Sequence, residues 1–108
     1  MAKSQSTEAY AYGSANVIAA VKAISHADFG FTAAELAKAE SCWVRAADDA
    51  AGCSMGSIAD PAGVTGPLIL ASGGAFTEVS GNANVVGLRF FGTITPTVVH
   101  IILFGYPG

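Results

Sequence analysis

Charged side chains are scarce in this sequence. Asp, Glu, Lys and Arg make up 12% of its 108 residues, about half the share usual in a soluble domain. The five Lys and Arg residues are scattered and the net charge is −3. We therefore expect no nucleic-acid partner, because binding to phosphates needs clustered cations. A weakly charged surface also favours association with other protein surfaces.

The residue patterns of common catalytic and metal sites are missing. His26 and His100 are isolated, and no Cys or His pair has the spacing of a zinc site. Ser25, His26 and Asp28 are close in sequence, but adjacent side chains on an extended segment point to opposite faces, so we expect His26 to cap a loop. We expect His100 to bond a neighbour or lie at an interface. The sequence thus predicts a protein that is not an enzyme and needs no metal or cofactor.

Cysteine is also rare, with Cys42 and Cys53 the two examples. No apolar run approaches the ~20 residues that cross a bilayer, and no export signal follows the start. We therefore expect synthesis in a cytoplasm, no membrane partner and two reduced thiols. A hairpin turning at residues 48–52 would also place Cys42 opposite Ile58, away from Cys53.

Short strand patterns dominate what is present. Turn residues recur about every eight to twelve positions, a spacing typical of a sandwich or jelly roll. We predict a mainly β fold, a β-sandwich or jelly-roll-like domain over residues 10–108 with one short helix, preceded by a polar arm over residues 1–9. The predicted strands lie within 10–24 (where a helix is the alternative) and at 42–46, 53–58, 68–70, 75–80, 84–92 and 97–104. The helix begins at a capping box formed by Thr32 and Glu35 and runs about two turns.

The last predicted strand is apolar on both faces. Alternate side chains point to opposite sides of a sheet, so Val98, Ile102 and Phe104 form one row and Val99, Ile101 and Leu103 form another. Both faces of such a strand must be shielded from water. We expect the core of the domain to shield one face and a second copy or a larger assembly to shield the other. The predicted interface residues are one row of this strand and two tyrosines near the start: Val99, Ile101, Leu103, Tyr10 and Tyr12.

Aromatic side chains offer an alternative function. The amphipathic rings of Tyr10, Tyr12 and Tyr106 can stack on apolar sugar faces, with the loop at residues 60–66 beside them. Trp43 lies in a predicted strand, where we expect it to be part of the core. The alternative function is therefore a glycan-binding adhesion module.

Six short segments carry a resemblance to a known group. They are SCWVR (41–45), DPAGVTG (60–66), LIL (68–70), GAF (74–76), NVVGLRF (84–90) and VVHIILF (98–104). Over residues 39–105 their order resembles small β-sandwich virion proteins of tailed bacteriophages, including capsid decoration (cement) proteins. The resemblance implies a protein located in the virion that binds and stabilises the particle, with no catalytic residues to transfer.

The same resemblance implies particular partners. They are the chain itself, as a symmetric homo-oligomer with a trimer among its possible forms, and a major capsid protein or another virion protein. Residues 1–39 have no counterpart in that group. The resemblance therefore leaves the position in the particle open among the capsid surface, the neck and the tail. For the glycan-binding alternative it implies an adhesion module of a phage tail or fibre.

Overall fold

Short strands follow one another along most of the chain, as the turn spacing predicts. The computed structural model describes residues 7–61, 68–93 and 95–106. Its strands are β1 (Glu8–Val17), β2 (Val21–Ala23), β3 (Ser41–Ala46), β4 (Ala51–Ser54), β5 (Leu68–Leu70), β6 (Thr77–Ser80), β7 (Arg89–Phe91) and β8 (Thr97–Gly105). A 3-10 turn (Ala27–Phe29) and helix α1 (Ala33–Ala37) lie between β2 and β3, and helix α2 (Asn82–Val86) lies between β6 and β7.

The chain pairs with itself as one long, rolled hairpin. β1 pairs with β8, β2 with β7, β3 with β6 and β4 with β5, all antiparallel. Because this long hairpin is rolled up, β3 also pairs with β8 and β4 also pairs with β7. The result is a first sheet in the order β1-β8-β3-β6 and a second sheet in the order β2-β7-β4-β5. Nested pairing in two four-stranded sheets is a jelly roll, so the predicted mainly β fold is confirmed.

Burial along β8 alternates strictly, and this shows which row faces the core. Val99, Ile101 and Leu103 are 0% exposed, whereas Val98, His100, Ile102 and Phe104 are half-buried. The prediction that Val99, Ile101 and Leu103 contact another chain is therefore wrong, because these side chains are enclosed in the core of their own domain.

The neighbouring strands explain that choice of row. Val99, Ile101 and Leu103 lie opposite Ala46, Val44 and Cys42 of β3 in the first sheet, and all of these side chains are buried. The other row of β8 lies opposite larger and more polar side chains of β1 and β3. Two apolar rows in one strand cannot by themselves show which is internal, but the small apolar partners of one row can.

Two predicted boundaries at the start of the chain need correction. β1 begins at Glu8, inside the segment predicted as an arm, and residues 1–6 of that segment lie outside the described part of the chain. The strand interpretation of residues 10–24 is confirmed, but a break at residues 18–20 separates β1 from β2. The 3-10 turn packs closely on β1 at Gly13, where a Cβ atom would collide with the Phe29 carbonyl oxygen.

The predicted strand at residues 84–92 is wrong in its first half. Helix α2 occupies Asn82–Val86, and β7 begins only at Arg89. Gly81 starts the helix at a φ of +92°, a backbone conformation that favours glycine. Val85 and Leu88, three residues apart, are both fully buried, so a helical turn places them on the same side.

The predicted helix at Thr32 is confirmed. Glu35 N donates to Thr32 Oγ1 at 3.0 Å, and Thr32 N donates to Glu35 Oε1 at 2.9 Å, so the capping box is complete. The helix is shorter than predicted, at five residues. The two N–H groups of Asn82 Nδ2 are shared among three carbonyl oxygens at its end, those of Leu36, Ala37 and Ala39, which lie 2.8–3.2 Å from Nδ2. This contact joins α2 to α1.

Cys42 and Cys53 are free, as predicted from the lack of an export signal, and both are fully buried. The hairpin assumed between their segments is wrong, because β3 and β4 lie in different sheets. The strand predicted at residues 53–58 is also shifted, since β4 occupies Ala51–Ser54. Burial raises the pKa of each thiol to about 12.

Candidate binding face

The outward face of the first sheet carries large side chains on neighbouring strands. Tyr12 of β1, Ile102 of β8, Trp43 of β3 and Glu78 of β6 are register partners, so they form one row across the sheet. Ser14, His100 and Arg45 form the next row. We call the following set the aromatic face: Tyr12, Trp43, Arg45, Phe76, His100, Ile102 and Phe104.

Three rings of the aromatic face are open to solvent. Tyr12 is 59% exposed, Trp43 42% and Phe76 39%. The expectation that Trp43 belongs to the core is wrong, because the inward row of β3 consists of Cys42, Val44 and Ala46. Large rings in such numbers on one sheet face are an observation that folding of the single chain does not explain.

The rings support one another. The centroid of the Trp43 ring lies 4.9 Å from that of Phe104 and 5.9 Å from that of Phe76, with the planes tilted by 49° and 38°. The Arg45 guanidinium lies 5.7 Å from the Phe76 centroid. Tilted pairs at these separations are favourable aromatic arrangements, so contacts among the rings themselves hold the face in shape.

Tyr12 and His100 form the other half of the aromatic face. Their rings are stacked with centroids 5.9 Å apart, and the Tyr12 hydroxyl is hydrogen-bonded to His100 Nδ1 at 2.5 Å. The expectation that His100 bonds a neighbour is confirmed. The bond fixes the orientation of an exposed tyrosine, which lowers the entropy that the ring would lose on binding.

An open depression of about 420 Å³ borders Tyr12. It lies at the irregularity between Ala9 and Ala11, where the pairing of β1 with β8 shifts. Tyr10, at this irregularity, donates its hydroxyl proton to the Glu35 carbonyl oxygen, and Lys38 Nζ lies 4.6 Å above its ring. Burial, followed by the nearby carboxylates of Glu35 and Glu40, raises the pKa of Tyr10. Tyr10 is thus half-buried against helix α1, while Tyr12 remains accessible.

The predicted role of His26 is confirmed. Asp28 N donates to His26 Nδ1 at 3.0 Å, so the histidine caps the 3-10 turn. Lys22 Nζ lies 2.7 Å from Asp28 Oδ2, and its hydrogen bond holds the pKa of that carboxyl below its usual value. These three residues stabilise a turn, and their polar groups are used in doing so.

Arg89 holds Asp60, the first residue of the loop assigned to glycan contact. Its Nη1 donates to the Gly56 carbonyl oxygen at 3.0 Å and its Nη2 to Ser54 Oγ at 2.8 Å. Arg89 Nε lies 2.6 Å from Asp60 Oδ1. Residues 62–66 of that loop lie outside the described part of the chain. Asp60 is therefore engaged in an internal ion pair.

In residues 7–61, 68–93 and 95–106, no three His, Cys, Asp or Glu side chains are grouped to hold a metal ion. No helix within those ranges has the length and apolar character to cross a membrane.

Comparison with protein-family models, with curated proteins and with solved structures finds no match to this chain. The aromatic face therefore has to be interpreted from its own chemistry. Sequence reasoning identified Tyr12 and missed Trp43, Arg45 and Phe76. The signal was available in β3, where small apolar residues alternate with Trp43 and Arg45, a pattern that places the latter two outward.

Proposed function

We propose that this protein is a structural component of a bacteriophage virion, of the capsid decoration (cement) type, and that it binds another particle protein through the aromatic face. The observation that carries the proposal is the group of exposed rings on the first sheet. Two further points support it. The segments of residues 39–105 resemble small virion proteins, and jelly rolls occur in viral capsid domains, although fold alone does not select a function.

The composition of the aromatic face suits a protein partner. Trp, Tyr, Phe and Arg are enriched at the centres of protein interfaces, while Lys, Glu and Asp are depleted there. Trp43 lies in the middle of the face between Phe104 and Phe76. A central tryptophan of this kind typically contributes about 2 kcal/mol or more when truncated, equivalent to roughly 30-fold in affinity.

The proposal is tested on particles made by the genome that encodes this chain. Mass spectrometry of gradient-purified particles should find the chain in stoichiometric amounts. Particles prepared without it should bind the purified protein, and the variant Trp43→Ser should bind at least about 30-fold more weakly.

Ile69→Ser is the matched control. Ile69 is 54% exposed and lies on β5 of the second sheet, so its truncation removes a comparable exposed side chain away from the aromatic face. It should bind like the wild type. Particles that lack the chain altogether, or equal weakening by both variants, would overturn the proposal.

Exposed Trp43 also favours a second candidate, the glycan-binding module. An exposed indole beside Arg45 and Glu78 offers a ring for a sugar face and polar groups for its hydroxyls. The packing of Phe104 and Phe76 around Trp43, with ring centroids 4.9 Å and 5.9 Å away, argues for the protein partner, because the centres of protein interfaces are rich in clustered aromatic side chains. Glycan-array binding that disappears in Trp43→Ser would favour the second candidate.

A further inference from the structure

The long edge strand of the first sheet has no partner on its outer side. Among the described residues, β8 is the one strand that pairs with β1. We propose that two copies of this protein pair antiparallel along β1, about a two-fold axis, so that their first sheets join into one eight-stranded sheet. This deepens the proposed function by naming the surface that joins copies of the chain, and it is testable separately because the contact lies at the sheet edge.

The four sheet edges differ in how they resist pairing. Short strands and charged side chains protect an edge, and three edges have such protection. β2 has three residues and carries Lys22, β5 has three residues, and β6 has four and carries Glu78. β1 has ten residues, no proline and no charge after Glu8 at its start. The irregularity at residues 9–11 affects only its first part.

One hydrogen bond shows which backbone groups point outward. Lys22 Nζ donates to the Asn16 carbonyl oxygen at 2.7 Å, so this carbonyl is directed away from β8. In an extended strand the backbone groups two and four residues earlier, those of Ser14 and Tyr12, point the same way. The Asn16 oxygen has two lone pairs, so it can accept an amide of a second chain without losing Lys22.

The regular part of β1 is compatible with a copy of itself. Pairing centred on Ser14 would place Ser14 of one copy opposite Ser14 of the other, and Tyr12 of each copy opposite Asn16 of the other. The outward-directed backbone N–H and C=O groups of the two strands would then face each other. No charged side chain lies within residues 9–17, so no like charges oppose each other. A two-fold axis closes the assembly, which distinguishes this arrangement from the trimer that the resemblance includes.

The test uses opposite charges at the centre of the proposed contact. In sedimentation velocity the wild type should form dimers at high concentration. Ser14→Lys and Ser14→Glu should each dimerise about fivefold more weakly, because like charges would face each other across the strands. An equimolar mixture of the two should recover dimers, and this recovery excludes misfolding as the reason for the loss.

Ser80→Lys supplies the control, because Ser80 is exposed on β6, at the opposite edge of the first sheet. It should leave the dimer intact. Hydrogen exchange gives the second measurement, in which amides of β1 that do not bond β8 should exchange more slowly at dimer-forming concentration. A monomeric wild type, a trimer disrupted by Ser80→Lys, or unchanged β1 amides in a dimer would overturn the inference. Loss of particle binding by Trp43→Ser would not bear on the proposed dimer, since Trp43 is two strands away from the β1 edge.

Discussion

Thr97 provides the sharpest test of how the fold is held together. It is fully buried at the start of β8, and its Oγ1 accepts hydrogen bonds from Asp48 N at 3.2 Å and Asp49 N at 3.1 Å. One hydroxyl thus satisfies two backbone amides of the turn between β3 and β4. Thr97→Val keeps the shape of the side chain and removes the acceptor, so both amides lose their partner.

The expected loss follows from the two unmade bonds. At about 1 kcal/mol for each, Thr97→Val should lower the free energy of unfolding by about 2 kcal/mol, which corresponds to a fall in Tm of roughly 8–16 °C. Thr97→Ser keeps the acceptor and loses one buried methyl group, about 0.8 kcal/mol. Urea unfolding followed by fluorescence of Trp43, the single tryptophan, measures both. A Thr97→Val protein as stable as the wild type, or more stable than Thr97→Ser, would show that the Thr97 hydroxyl does not stabilise this turn.

Three further predictions concern Asn82, the thiols and Gly13. Asn82→Ala should destabilise the fold by about 2 kcal/mol because the end of α1 loses its donors, whereas Asn84→Ala, which breaks one bond at an exposed site, should lose less than half of that in the same urea assay. Cys42 and Cys53 should be inert to a thiol reagent at pH 8 and react fully in denaturant. Their pKa values are raised to about 12, so the folded state keeps the thiol protons to a higher pH than the unfolded state does. The free energy of unfolding should therefore fall as the pH rises above the ordinary thiol range. Gly13→Ala should lower Tm, because its Cβ would collide with a backbone oxygen.

Local chemistry predicted the elements that depend on local signals. The Thr32–Glu35 capping box and the cap made by His26 were both readable from the sequence, because each involves residues within three positions of one another. The double row of apolar side chains in β8 was readable too. Its orientation was not, because it depends on the partners that β1 and β3 supply across the sheet.

Long-range pairing also explains the errors elsewhere. Residues 84–86 look like a strand because Val85 and Val86 are β-branched, yet Gly81 and the bonds from Asn82 to the end of α1 place them in a helix. β3 and β4 look like a hairpin, yet each finds its partners in a different sheet. The aromatic face was missed for the same reason, since its residues come from four strands or their flanks and meet only in the fold.

The most direct measurement is the solvent exposure of Trp43 in the free and particle-bound protein. Incorporating 5-fluorotryptophan labels this one residue of the chain, and its ¹⁹F resonance can be followed in the presence of a soluble quencher or of D₂O. The Trp43 ring should be exposed to solvent in the free protein and shielded from solvent once the protein is bound to particles. A Trp43 ring that stays equally exposed in the bound state would contradict the aromatic face as the binding surface.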